Sequence, residues 1–122
     1  MTSPDLLRED LAAIPRVSLA HLPTPFERLP SISEQLSGLK LFVKRDDQTG
    51  LAFGGNKARK LEFIMADAVE KGADSIVTWA GVQSNWCRQV AAAAAQLGLH
   101  TVLVLLKSPT SPEGEEIGRA HV

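Results

Sequence analysis

Asn56-Lys57-Ala58-Arg59-Lys60-Leu61-Glu62-Phe63-Ile64-Met65-Ala66-Asp67-Ala68-Val69-Glu70-Lys71 runs into Gly72, and Ser75-Ile76-Val77-Thr78-Trp79 follows. Ala58, Leu61, Ile64, Met65 and Ala68 recur at the spacing of one helical face, so residues 56–71 are expected to form a helix, stopped by Gly72. The apolar run Ser75 to Trp79 is expected to be a short strand and Gly81 to Ser84 a turn. Asn85 to Leu97 is an alanine-rich helix ended by Gly98. Thr101 to Leu106 is apolar and β-branched without alternation, the pattern of a strand covered on both faces. Upstream, Leu39 to Lys44 sets Leu39, Leu41 and Val43 against Lys40 and Lys44, with Phe42 as the exception, and reads as a strand. Asp46 to Gly55 is a loop with three glycines. Strand, helix, strand, helix, strand with short connections predicts an α/β fold with one parallel sheet and right-handed crossovers.

The segment ahead of this is less regular. Ser3-Pro4-Asp5 supplies a capping hydroxyl, a first-position proline and a first-turn acid, so a helix starts there. Leu6, Leu7, Leu11 and Ile14 give it a short apolar face, and Pro15 ends it. Pro15, Pro23, Pro25 and Pro30 predict extended, irregular chain. Ser31-Ile32-Ser33-Glu34 has capping-box spacing, with Gly38 as the C-terminal cap of a short helix.

Composition narrows the functional classes. With 122 residues, 44% of them hydrophobic, the chain can bury a core and by length reads as one domain. The net charge of −1 with dispersed basic residues gives no footprint for nucleic acid. No apolar run is long enough for a membrane span. A single cysteine, Cys87, excludes an internal disulfide framework and fits a reducing compartment. Met1 to Asp10 is acidic and lacks the apolar core of a secretory signal, so a cytoplasmic location is expected. The last residues, Glu116-Ile117-Gly118-Arg119-Ala120-His121-Val122, show no continuing periodicity and match one reading frame of a widely used sequencing adapter. The expectation is that 116–122 is a non-native, adapter-derived tail on a truncated chain, and codons unrelated to the adapter would refute it.

In parallel α/β sheets ligands gather where strands end and helices begin. Two such junctions stand out: Gly50-Leu51-Ala52-Phe53-Gly54-Gly55-Asn56-Lys57 and Gly81-Val82-Gln83-Ser84-Asn85. Lys57 lies in a first helical turn, where the macrodipole disfavours a cation, with Arg59 and Lys60 nearby; these effects lower a lysine pKa and suit a neutral amine nucleophile. Gly54 and Gly55 let backbone approach a ligand, with free N–H groups for an anion, and Lys60 lies one turn on. From spacing alone, a merely solvated lysine and a phosphate-binding loop stand beside this reading. A Walker loop fails twice: Asn56 separates Gly55 from Lys57, and Ala58 rather than a hydroxyl residue follows. Ser84 and Asn85 are favoured helix caps, and Gly81 to Asn85 does not supply a hydrolase nucleophile elbow. His21, His100, His121 and Cys87 are too scattered for a metal cluster, so no metal is expected.

Lys44-Arg45-Asp46-Asp47, Gly54 to Glu62, and Gln83-Ser84-Asn85 with Arg88-Gln89 resemble the fold-type II pyridoxal-phosphate enzymes, with a tryptophan synthase β-like, three-layer α/β fold. Within them the match is to the D-cysteine desulfhydrase and 1-aminocyclopropane-1-carboxylate deaminase group, whose N-terminal segment His21-Leu22-Pro23-Thr24-Pro25 also resembles. The resemblance runs from His21 to Leu106. It implies pyridoxal 5'-phosphate as cofactor, bound covalently by Lys57, which would also shuttle the substrate's α-proton. Asn85 would hydrogen-bond the cofactor's phenolic oxygen, Lys60 would help hold its phosphate and Asn56 would line the site. Ser84, as catalytic and substrate-binding residue, would act with Gln83 and Trp86 on the substrate. It further implies that 1–56 belongs to the large cofactor domain and 57–115 to a smaller α/β domain, so the single sheet would split after about residue 56. The implied reaction is elimination or deamination of a small amino acid, with D-cysteine converted to pyruvate, ammonia and sulfide by a protein that is a homodimer at full length. Gly50 to Gly55 leans towards the cyclopropane deaminase and His21 to Pro30 towards the desulfhydrase; L-cysteate sulfo-lyase is a third candidate, and a phosphate- or nucleotide-binding module is the alternative from another class. Trp86 stands where relatives carry histidine or glutamine. The chain has no tyrosine and lacks the glycine-rich phosphate loop and the partner of the pyridine nitrogen, so alone it is expected to be inactive.

Overall fold

The computed structural model describes residues 3–107. The Lys107 to Gly114 loop beyond its first residue, and the tail 116–122, lie outside the described residues. Helix α1, Pro4–Ala12, starts as its sequence dictates: Ser3 accepts the Asp5 N–H at 3.2 Å and proline occupies the first turn. None of its residues is buried, and Leu6, Leu7 and Leu11 remain exposed.

The proline-rich segment is more ordered than its composition suggests. Phe26–Arg28 forms β1, which pairs antiparallel with β2, Phe42–Lys44. Phe26 and Phe42 share a face and stack, with centroids 5.1 Å apart and planes 13° from parallel. Phe42, the exception to the alternation, is therefore a cross-strand partner, a contact that appears only once β1 lies beside it. Helix α2, Pro30–Gln35, begins on proline, and no capping box forms. The hydroxyl of Ser33 is committed elsewhere: it donates to the Leu29 carbonyl at 2.6 Å and accepts the Leu41 N–H at 3.1 Å, tying α2 to the approach of β2.

The expected helices follow. Helix α3 spans Lys57–Glu70 and α4 spans Asn85–Gln96; Gly72 and Gly98, just beyond them, take positive φ of 70° and 71°. Strands β3, Ser75–Gly81, and β4, His100–Leu106, pair in parallel with Ile76 opposite Thr101 and Trp79 opposite Val104. The single three-stranded parallel sheet expected from element order is thus corrected. The first strand pairs antiparallel with β1, and the parallel sheet holds β3 and β4 alone among the described residues. Nor is β4 covered on both faces here. Burial alternates along β3 and β4, and Val77 and Trp79 are each 69% exposed.

The core lies on the other face. Ala58, Leu61 and Met65 of α3 meet Val90 and Ala93 of α4, with Leu19 and Leu51 closing one end and Ile76, Leu97 and Leu99 packed at the margin. The alanine run of α4 has a packing reason: with Ala93 and Ala94 fully buried, α4 can contact α3, β3 and β4 together. Burying this apolar surface, at roughly 25 cal/mol per Å², is the main force that seats α3 against α4.

Candidate active site

The glycine loop is built by internal contacts. Asp46–Gln48 makes one 3₁₀ turn, after which Ala52 and Phe53 take positive φ and Gly54 and Gly55 follow at 79° and 128°. A Cβ on Gly54 would overlap the Asp47 carbonyl oxygen, and one on Gly55 would overlap Gln89 Nε2 and come 2.8 Å from Asn85 Nδ2. The glycines thus admit other parts of this chain, where the sequence suggested close approach of a ligand. Their N–H groups are not free for an anion either. Gly54 donates to the Leu51 carbonyl at 3.1 Å, and Gly55 to the Asp46 carbonyl at 2.8 Å and the buried Thr49 hydroxyl at 2.9 Å.

The second junction packs directly on the first. Ser84 is the N-cap of α4, accepting the Cys87 N–H at 3.2 Å, and with the half-buried Gln83 it forms the turn from β3. Asn85 opens the helix with its amide oriented by two donors: Oδ1 accepts from Gln89 Nε2 at 3.0 Å and from Arg88 Nη2. Gln89 Nε2 also donates to the Gly54 carbonyl at 2.9 Å, and Arg88 Nη2 reaches the same oxygen at 3.4 Å. The Arg88 guanidinium lies 5.9 Å from the ring of Phe53, which is 95% exposed. Two loops separated by 35 residues in sequence are locked together at Gly54.

Lys57, at the start of α3, is half-buried, and its ammonium donates to Asn56 Oδ1 at 2.9 Å. Lys60 extends across to α4, where its Nζ sits 4.1 Å from the centre of the Trp86 ring. Trp86 in turn donates Nε1–H to Thr78 Oγ1 at 2.8 Å, so it is wedged between α3 and β3. Among the described residues neither Lys57 nor Lys60 pairs with a carboxylate. Arg59, counted from sequence as a like charge beside Lys57, turns away to Asp46 at 2.6 Å. That guanidinium, with help from the Thr24 hydroxyl, holds the Asp46 carboxyl below its ordinary range, and Asp46 correspondingly raises the Arg59 pKa.

Two side chains that organise the region are not among the candidate site residues. Glu62 is buried, and its carboxylate accepts from Arg16 Nε at 2.6 Å, Leu19 N–H at 3.0 Å and Ala20 N–H at 2.9 Å. It pins the irregular N-terminal segment onto α3. Gln89 is fully buried. Periodicity alone would place both on ordinary helix faces; both fall within the stretches that carry the family resemblance, but only their burial shows what they do. The cavity lined by Arg16, Ser18, Ala20, Leu22 and Glu62 contains none of the candidate catalytic, cofactor-binding or substrate-binding residues. Among the described residues no group of three potential metal ligands occurs, and no helix is long and apolar enough to cross a membrane.

The two junctions bring an amine, a second cation and an amide donor to adjoining helix starts. Among the described residues no carboxylate pairs with the Lys57 amine, and the Lys60 cation lies one turn further along α3. No acceptor among the described residues meets Asn85 Nδ2, which is therefore available to an oxygen beside Gly55. The α/β frame thus presents a lysine and an oriented amide at two adjoining helix starts. The chain belongs to the pyridoxal-phosphate dependent enzyme family, which matches residues 17–121. It is 51% identical over 107 residues to the D-cysteine desulfhydrase of Klebsiella pneumoniae subsp. pneumoniae, a match that takes in 88% of this chain and 32% of that protein. It is 50% identical over 105 residues to the D-cysteine desulfhydrase of Salmonella paratyphi B, covering 86% of this chain and 31% of that protein. A crystal structure of a homologue of ACC deaminase superposes with a TM-score of 0.78 at 45% identity, covering 85% of this chain and 31% of that one. The chain thus spans about a third of the length of the curated relatives it matches.

Proposed function

We propose that this chain is the lysine-bearing part of a pyridoxal-phosphate enzyme that eliminates or deaminates a small amino acid, with D-cysteine as substrate and pyruvate, ammonia and sulfide as products. The observation that carries it is the placement of Asn85 Nδ2 against Gly55, two residues ahead of Lys57, since it sets an amide donor from the start of α4 beside the loop that leads into the lysine. Bound there, pyridoxal phosphate supplies an electron sink for the substrate's α-carbon. Lys57 holds the cofactor and moves the proton at that carbon, while Asn85 directs its Nδ2 hydrogens to the phenolic oxygen and Asn56 steadies the Lys57 amine. Lys60 brings positive charge towards the phosphate. Ser84 and Gln83 orient the substrate carboxylate from the β3–α4 turn, and Trp86 borders them with its ring. In the same reading residues 1–56 belong to the large domain and 57–115 to the small one, and the full-length protein is a cytoplasmic homodimer.

The test is spectroscopic and then chemical. The protein completed to the length of its relatives should show visible cofactor absorbance that Lys57→Ala abolishes, and should release sulfide from D-cysteine. A folded full-length protein without that absorbance overturns the cofactor reading. The ACC deaminase homologue supports a second reading, 1-aminocyclopropane-1-carboxylate as substrate. Ammonia release from that amino acid without sulfide release from D-cysteine selects it.

A further inference from the structure

We infer that Gln89, buried beneath the site and touching neither Lys57 nor any group assigned to the substrate, is a positioning residue that sets which end of the Asn85 amide faces the cofactor. The inference rests on the proposed role of Asn85 towards the phenolic oxygen and goes one residue deeper into the fold.

An asparagine amide can present either a donor or an acceptor, and its two orientations are nearly the same shape. At an anionic oxygen they have opposite effects: N–H stabilises the charge and C=O repels it. Something must choose, and here a chain of complementary groups does so. The Gly54 carbonyl is an acceptor, so it takes the NH₂ end of Gln89, with Nε2 at 2.9 Å. The same Nε2 lies 3.0 Å from Asn85, which must therefore turn its oxygen inward. Arg88 Nη2, a donor in every protonation state it reaches, presses on that oxygen from the side. Asn85 is left with Nδ2 pointing towards Gly55. Reversing Gln89 would set its oxygen against two acceptors, and reversing Asn85 would set its NH₂ against two donors.

The chain also explains two costs the fold carries. Gln89 Oε1 is buried without a partner, an uncommon condition that stabilises nothing locally. Gly55 must lack a Cβ, because one would overlap Gln89 Nε2. Both follow if the Nε2 contacts are what this position holds in place. Arg88 alone would not suffice, since its side chain is exposed and free to leave, whereas Gln89 is fixed between the glycine loop and the core.

The test is made on the protein at full family length with pyridoxal 5'-phosphate bound, reading the pH midpoint of its visible absorbance. A donor on the phenolic oxygen favours the charged form and lowers that midpoint, so losing or inverting it raises the midpoint. Gln89→Glu keeps the shape and removes the donor; Gln89→Met keeps the length and serves if the glutamate variant does not fold. Each should raise the midpoint by about one pH unit, a tenfold change in proton affinity, and Asn85→Asp should raise it by a similar amount. Ala93→Gly, which loosens α4 away from the site, should lower Tm and leave the midpoint in place. If Gln89→Met and Gln89→Glu leave the midpoint unchanged while Asn85→Asp moves it, Gln89 positions nothing and the inference is overturned. If the wild-type protein shows no Lys57-dependent absorbance at all, the cofactor reading has failed instead.

Discussion

Arg59 on α3 grips Asp46 of the preceding loop through two bonds, Nε at 2.9 Å and Nη2 at 2.6 Å, with the Thr24 hydroxyl on the same carboxylate at 3.1 Å. The pair fastens the β1–β2 region to the helix that carries Lys57. Because the contact lowers the Asp46 pKa on folding, its contribution is complete above the unfolded value of about 3.9 and is lost as pH falls through the lower folded value. Asp46→Asn should therefore cost about 1 kcal/mol at neutral pH, discounted for partial solvent exposure, and flatten the acid limb of stability below about pH 4. Urea melts from pH 3 to pH 7 check both, and a mutant curve parallel to wild type at every pH would show that the pair is neutral.

Glu62 makes a stronger case, since it is 1% exposed and binds Arg16 and two backbone N–H groups at once. Glu62→Gln turns one acceptor into a donor facing donors. The expected loss is about 3 kcal/mol, accompanied by faster proteolysis within residues 16–20. Unchanged proteolysis there would mean that other contacts hold the segment.

Two glycines with positive φ should respond differently to alanine. Gly72 has open space around its missing Cβ, so Gly72→Ala should cost only the left-handed strain of about 1–2 kcal/mol. Gly54→Ala adds an overlap with the Asp47 carbonyl oxygen, a backbone atom that cannot swing aside, and should cost about 3 kcal/mol or more. Equal chemical-denaturation midpoints for the two variants would contradict the loop geometry.

The Lys60–Trp86 contact offers a spectroscopic handle. In a Trp79→Phe background Trp86 is the only tryptophan, and Lys60→Met should then alter its emission intensity. A double-mutant cycle with Trp86→Leu should return a coupling of about 0.5–1 kcal/mol, as for a partly exposed cation–π pair. Zero coupling would place the ammonium elsewhere.

The elements that sequence made legible share a feature: each is specified by neighbours within a few residues. Ser3 caps α1, Gly72 and Gly98 follow the ends of α3 and α4, and the apolar face of α3 is periodic, so these could be read directly. Strand β1 could not. It is three residues long, lies among prolines, and exists because Phe42 offers a ring to stack on. The sheet was misassigned for the same reason: element order says nothing of which strand sits beside which, and β2 found its partner in β1.

The site divides along the same line. The chemistry available is a matter of residue type, an amine at Lys57, an amide at Asn85 and a cation at Lys60, and the motif spacing around them is that of the pyridoxal-phosphate dependent enzyme family. Orientation comes from packing. That Asn85 turns its NH₂ towards Gly55, that Gly54 and Gly55 make room for this chain's own atoms, and that Trp86 is committed to Thr78 and Lys60 all depend on how the loop, α3, β3 and α4 are packed together. Hydrogen-bond direction is set by the group across the gap, and the carbonyl that orients Gln89, and through it Asn85, is 35 residues from Gln89 in sequence.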